Sequence, residues 1–386
     1  MPTRLRAPAA VPAPSQPPPA GHARPRLHVL DGIRLAAALM VVAFHYAARG
    51  KGWDRPVQQV FPHASLPASY GWLGVELFFL ISGFVICMSC WGKSVGGFFV
   101  SRVVRLYPAY WFGVLATTLV LLAVPGGMDP HGPSAVLANL SMLQEPLGAP
   151  QVDGVYWTLL AELKFYLLFS LVVWRGVTYR RVVLFACTWA VASALLVRTD
   201  DGWLRQLLIP DMSWYFIAGM AMYLMYRFRP NALLAGIVAV CFLAGQWFAL
   251  ARLARTERQI GHDVPDWPVP VLLACFFGLM LLVATGRLSW ISWRWLPTAG
   301  VITYPLYLLH ENIGWEAIGL FQDRVPARVL LAVLVPGMLL AAWLVHRFVE
   351  RPAARRLRVL LDRALEQAAE ASRRPPRQRV HDGAAP

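Results

Sequence analysis

Ten runs of mostly apolar residues, each about as long as a bilayer is thick, constrain this chain more than anything else in it. Punctuated by Pro, Gly and charge, they fall at 28–47, 71–91, 106–124, 154–174, 182–198, 211–226, 231–251, 268–285, 297–320 and 329–348. A helix needs about 20 residues to cross roughly 30 Å of hydrocarbon, and every backbone polar group must be satisfied within it. The chain therefore reads as all-α, a polytopic membrane helix bundle of about ten transmembrane helices. With 57% of residues apolar and 15% charged, a soluble multidomain reading is set aside.

Charge gives the orientation. The net charge of +15 could point to nucleic acid, but the basic residues form no readable DNA-binding motif. They sit at the termini and in short connections. With the N-terminus in the cytoplasm, 24 Lys and Arg fall on the inner side and 10 on the outer, which favours both termini inside and an even number of spans. Arg49, Arg252 and Arg255 count as outer-loop residues in this scheme.

Three segments follow. Residues 1–26, with eight Pro and four Arg and no apolar core, read as a disordered cytoplasmic lead. Residues 27–350 hold the membrane domain. Residues 351–386 form a basic cytoplasmic tail that begins as an amphipathic helix suited to the anionic inner leaflet. The five Cys lie in or beside apolar runs and read as packing thiols, with no disulfide framework. The His residues are scattered without metal-ligand spacing, so no metal site is expected. High Arg and Ala usage with few Lys fits a GC-rich bacterial genome.

A charge inside a bilayer costs about 2.5–3.5 kcal/mol on insertion scales, so ionisable residues within the spans are functional candidates. In "LDGIRLAAALMVVAFHY" (30–46), Arg34 and His45 are eleven residues apart. That is close to three helical turns, which puts both on nearly one face about 16 Å apart, where they could line a single channel. "GWLGVELFFLISGFVI" carries Glu76 early in the second span, where a solvated interfacial position is the alternative to a buried role. "SRVVRLYPAYW" puts Arg102 and Arg105 on one face, either as snorkelling topology residues or as a phosphate clamp. "DGVYWTLLAELKFYLLF" carries Trp157, Glu162 and Lys164. Glu162 lies too deep for easy solvation and needs a partner on another helix, while Trp157 also suits an interfacial aromatic belt. In "TYPLYLLHENIGW", Tyr304, Tyr307 and His310 recur every three residues, and Pro305 predicts a kink.

In their order, "LDGIRLAAALMVVAFH", "GVELFFLISGF", "FFVSRVVRLYPAYW", "YWTLLAELKFYLL" and "TYPLYLLH" resemble membrane acyltransferase family three, the integral-membrane enzymes that O-acylate carbohydrates and related acceptors. The likeness spans most of 28–350 and implies about ten core helices and an acyl-CoA donor, usually acetyl-CoA, used as a substrate with no bound cofactor. It implies functional roles for Arg34 and His45, donor binding by Arg102 and Arg105, and acidic site residues at Glu76 and Glu162. Lys164 stands where family members often carry another polar residue, and no role is assigned to it.

On this resemblance the three arginines would take the donor phosphates and the pantetheine arm would run towards His45 as general base, with Glu76 or Glu162 orienting the ring. Tyr304, Tyr307 and Trp157 are candidate oxyanion donors. His310 is a candidate positioning residue. The acceptor would be a carbohydrate, a lipid-linked sugar or a glycosylated metabolite, the place of action the cytoplasmic membrane, and no nucleic acid is involved. The competing class is a proton-coupled transporter or flippase that uses intramembrane Glu and His as relays.

Overall fold

The computed structural model describes residues 27–124, 126–197 and 202–373. The lead at 1–26 and the end of the tail at 374–386 lie outside the described residues. Within them the chain is a helical bundle without strands. Its principal helices are α1 (His28–Phe44), α2 (Gly74–Ser89), α3 (Val95–Ala123), α4 (Trp157–Trp174), α5 (Tyr179–Leu196), α6 (Pro210–Phe228), α7 (Ala232–Ile260), α8 (Pro268–Ala284), α9 (Leu296–Leu309), α10 (Glu311–Phe321), α11 (Ala327–Val345) and α12 (Arg351–Arg373). Among the described residues eight helical segments are long and apolar enough to cross a membrane, and α8 and α9 are shorter apolar helices. The chain is a multi-pass membrane protein.

Local sequence sets the helix starts. The side chains of Ser94, Thr178 and Asn231 accept hydrogen bonds from the backbone N–H of Gly97, Arg181 and Leu234, capping α3, α5 and α7. Gly261 ends α7 in the left-handed region at φ 79°, where a side chain would be strained.

Two helices run further than their apolar cores predict. α3 begins at Val95, eleven residues before the expected span, so Arg102 and Arg105 project from the body of a helix. α7 continues to Ile260 because Leu253, Thr256 and Ile260 keep one face buried beyond the apolar run. Arg252 and Arg255, counted as loop residues, are therefore helical. The ninth expected span, 297–320, is two helices, α9 and α10, which meet at His310. α9 continues through Pro305, so the break lies five residues past the predicted kink.

α6 is the central post. Every residue from Met212 to Met225 is buried. It crosses α2 at a contact of two glycines: a Cβ on Gly83 would collide with the backbone carbonyl of Phe216, and one on Gly219 with that of Leu80. Small residues let two backbones approach closely where lipid supplies no hydrophobic drive between helices. α7 presents Leu233, Val240, Leu243 and Trp247 outward, as a lipid-facing helix should. α12 returns to the start of α3, where Leu365 lies over Gly96.

The crossing generates a contrast in sign. Gly219→Ala should destabilise the protein by about 1–3 kcal/mol through overpacking. Gly236→Ala, on α7 with nothing within 4 Å of the added methyl, should stabilise it by about 0.5–1 kcal/mol through helix propensity. Thermal unfolding in detergent checks both.

Candidate active site

Among the described residues, two cavities in the bundle gather the polar side chains of the spans. One, of about 320 Å³, is lined by Arg34, Arg102, Arg105, Ser82, Glu162, Tyr166 and Tyr304, among others. The other, of about 540 Å³, is lined by His45, Arg49, Glu311, Trp72, Trp157, Lys164 and Arg252, among others. α1 runs from the first to the second, with Arg34 in one wall and His45 in another. Arg34 and His45 thus line two cavities and not the single channel suggested by their spacing, and Val75 and Tyr307 line both.

In the arginine cavity, the Arg102 guanidinium donates to Ser89 Oγ at 3.0 Å and lies 5.8 Å from the ring centres of both Phe98 and Tyr166. Glu162 accepts from Ser82 Oγ at 2.9 Å. Tyr304 donates to the carbonyl of Leu106 at 3.1 Å. Three guanidiniums against the one carboxylate of Glu162 leave this cavity suited to an anion.

The histidine cavity is built where α1 changes to a π-turn, His45–Arg49, closed by Gly50 at φ 42°. Such turns often occur at functional sites because the wider backbone re-aims side chains. His45 Nδ1 lies 2.9 Å from the carbonyl of Val41 and 3.1 Å from His310 Nε2, and His310 Nδ1 lies 2.9 Å from the carbonyl of Tyr307. A carbonyl only accepts, so His310 carries its proton on Nδ1 and offers Nε2 as an acceptor. His45 then carries its proton on Nδ1, shared between Val41 and His310, and its Nε2 lone pair is free. That nitrogen is 3.5 Å from Glu311 Oε1, which also takes a 2.7 Å hydrogen bond from Arg49. Trp315 Nε1 donates to the carbonyl of His45 and Tyr46 to that of His310, fixing both histidine backbones. Behind Glu311, burial and the Glu311 charge push the Asp153 carboxyl well above the usual carboxylate range. Asp153 in turn accepts from the backbone N–H of Val155 and Asn312.

His45 and His310 therefore touch, and Trp157 and Tyr307 line the same cavity. Arg34, Arg102, Arg105 and Tyr304 gather around the other. The two acidic residues expected to orient His45 do not reach it. Glu76 is bound by Arg252 at 2.7 Å, because α7 extends far enough to bring that guanidinium across. Glu162 faces the arginine cavity with Ser82. The carboxylate beside His45 is Glu311, which the sequence reading missed along with Arg49, Asp153 and Trp315. Its signal was the pair His310-Glu311 in "TYPLYLLHENIGW", where a charge directly follows an apolar helix. Lys164 pairs loosely with Glu145 at 3.8 Å in the wall of the histidine cavity. Of the three expected oxyanion donors, Tyr304 and Tyr307 are engaged elsewhere. The indole N–H of Trp157 makes no hydrogen bond among the described residues, which also contain no group of three or more His, Cys, Asp or Glu able to hold a metal ion.

The chain belongs to the acyltransferase domain family, whose pattern matches residues 27–347. It is similar to the acyltransferase MdmB of Streptomyces mycarofaciens, with 33% identity over 183 residues that cover 44% of this chain and 45% of that protein. It is 30% identical to nodulation protein 10 of Rhizobium leguminosarum bv. viciae over 175 residues, 38% of this chain and 44% of that one. The alignment thus spans less than half the length of these two relatives. The exopolysaccharide production protein ExoZ of Rhizobium meliloti is 29% identical over 308 residues, 74% of this chain and 90% of that protein. No solved structure matches.

Breaking the Arg49–Glu311 pair from one side should expose its cost. Glu311→Gln should destabilise the protein by about 3 kcal/mol, and adding Arg49→Gln should recover part of that loss, because an uncompensated buried charge costs more than removing both partners. A double-mutant cycle of unfolding in detergent measures the coupling.

Proposed function

We propose that this acyltransferase moves an acyl group, most simply acetyl, from acyl-CoA to a hydroxyl of a carbohydrate or sugar-bearing acceptor, with His45 as the general base. The observation that carries the reading is the pair of adjoining cavities: guanidiniums of Arg34, Arg102 and Arg105 gathered around one, and a free imidazole nitrogen, beside Arg49 and Glu311, in the other. CoA is polyanionic at its nucleotide end, which suits the guanidinium cluster.

The steps balance. His45 Nε2 takes the proton of the acceptor hydroxyl as its oxygen attacks the thioester carbonyl. The tetrahedral intermediate collapses with cleavage of the C–S bond, and the departing CoA sulfur takes the proton back from the imidazolium. Ester and free thiol result. Glu311, 3.5 Å from Nε2, stabilises the imidazolium while it lasts, and His310 holds the ring in the tautomer that leaves Nε2 bare. The Trp157 N–H is the remaining candidate for the oxyanion.

The positive-inside bias supports a place in the cytoplasmic membrane with both termini inside, which opens the arginine cavity to cytoplasmic acyl-CoA. The relative ExoZ, which covers most of its length with this chain, is named for exopolysaccharide production, in keeping with a carbohydrate acceptor.

Two measurements test this. Purified protein should release free thiol from acetyl-CoA slowly, and His45→Ala should lower that release at least 100-fold, the scale of general base catalysis. Equal release by both proteins would remove His45 from the chemistry. CoA binding should weaken about 10–100-fold in Arg102→Ala or Arg105→Ala, the worth of one charge-assisted hydrogen bond. A wild-type protein that ignores CoA would instead favour transport.

A further inference from the structure

The two cavities adjoin and share few lining residues. Among the described residues, Val75 of α2 and Tyr307 of α9 are the side chains that line both chambers. The Tyr307 hydroxyl lies 2.8 Å from Thr158 Oγ1 and 3.2 Å from the carbonyl of Val155, and the Thr158 hydroxyl also donates to that carbonyl at 3.0 Å. The phenol ring is thus latched onto the first turn of α4, with Phe78 edge-on at 5.8 Å behind it. Val75 has no such fastening.

Pro305, two residues earlier, has no N–H to give to the carbonyl of Val301. On the other side the His310 N–H still donates to the carbonyl of Leu306. Turning the phenol aside breaks its hydrogen bonds to Thr158 and Val155.

We propose that Val75 and Tyr307 form the aperture through which the acyl thioester passes from the arginine cavity to His45, and that its width sets the length of acyl group the protein accepts. This rests on the acyl-CoA reading above. Phosphates held by guanidiniums stay in one chamber while the reacting carbonyl must reach the other, so the thioester end has to pass between these two side chains. Both are specificity-determining residues on this view, and neither takes part in proton transfer. A short acyl group passes when the phenol swings; a longer one meets the Val75 side chain.

The test compares acetyl-CoA and butyryl-CoA as donors, with thiol release and CoA binding measured on full-length protein in detergent. Val75→Ala, and separately Tyr307→Phe, which keeps the ring and loses the latch, should raise the butyryl-to-acetyl ratio at least fivefold. A ratio of rates in one preparation does not move with stability alone. Val75→Trp should cut thiol release from both donors at least tenfold. If the ratios of Val75→Ala and Tyr307→Phe match wild type, or Val75→Trp releases thiol normally, the aperture assignment is wrong and the two-chamber acyltransferase reading stands. If wild-type protein binds no CoA, that reading fails and takes the aperture with it.

Discussion

One carboxylate oxygen holds the histidine chamber together. Glu311 Oε1 receives Arg49 from the end of the first helix and faces His45 from the same π-turn, while its own helix begins one residue after His310. In a medium that does not solvate ions, a carboxylate is kept only where its charge is shared. Here the shared charge joins α1 to α10, and both histidines take their places from that joint. Asp153 adds a further constraint from the loop before α4. Its carboxyl is pushed up by burial and by Glu311, so the acidic pair carries less charge than two free carboxylates would.

How much of this could be read in advance depends on the kind of signal. Hydropathy gave the spans because the bilayer imposes one length on all of them. Arg34 and His45 were legible because helical geometry fixes their spacing whatever the rest of the chain does. The partners were not. Glu76 and Glu162 announce themselves as buried acids, but their counter-groups are set by helix ends and crossings that hydropathy does not fix. Arg252 looked like a loop residue because the apolar run stops near Leu250, yet amphipathic periodicity carries α7 on and brings the guanidinium to Glu76. Glu311 was hidden for the opposite reason. It sits in a run that reads as one long span, and the break at His310 that turns it inward has no proline or glycine of its own.

The two chambers both carry cations and differ in what accompanies them. Arg34, Arg102 and Arg105 stand with Glu162 around one, while the imidazole of His45 stands in the other beside Arg49, Lys164, Arg252 and Glu311. Beside His45, Arg49 is paired with Glu311.

The glycine crossing of α2 and α6 has a consequence for synthesis. α6 is enclosed on all sides, so its Ser213, Tyr215, Tyr223 and four methionines never have to please lipid in the finished protein. A ribosome-bound chain meets the bilayer before it meets its neighbours, however, and at that moment α6 is a less greasy segment than the peripheral α7 that follows it. Partition into the membrane is therefore weaker for the helix on which the bundle is centred than for α7. α2, already in place and offering Gly83, gives α6 a surface to enter against. The order of the helices along the chain, α2 ahead of α6 and α6 ahead of α7, places that surface first.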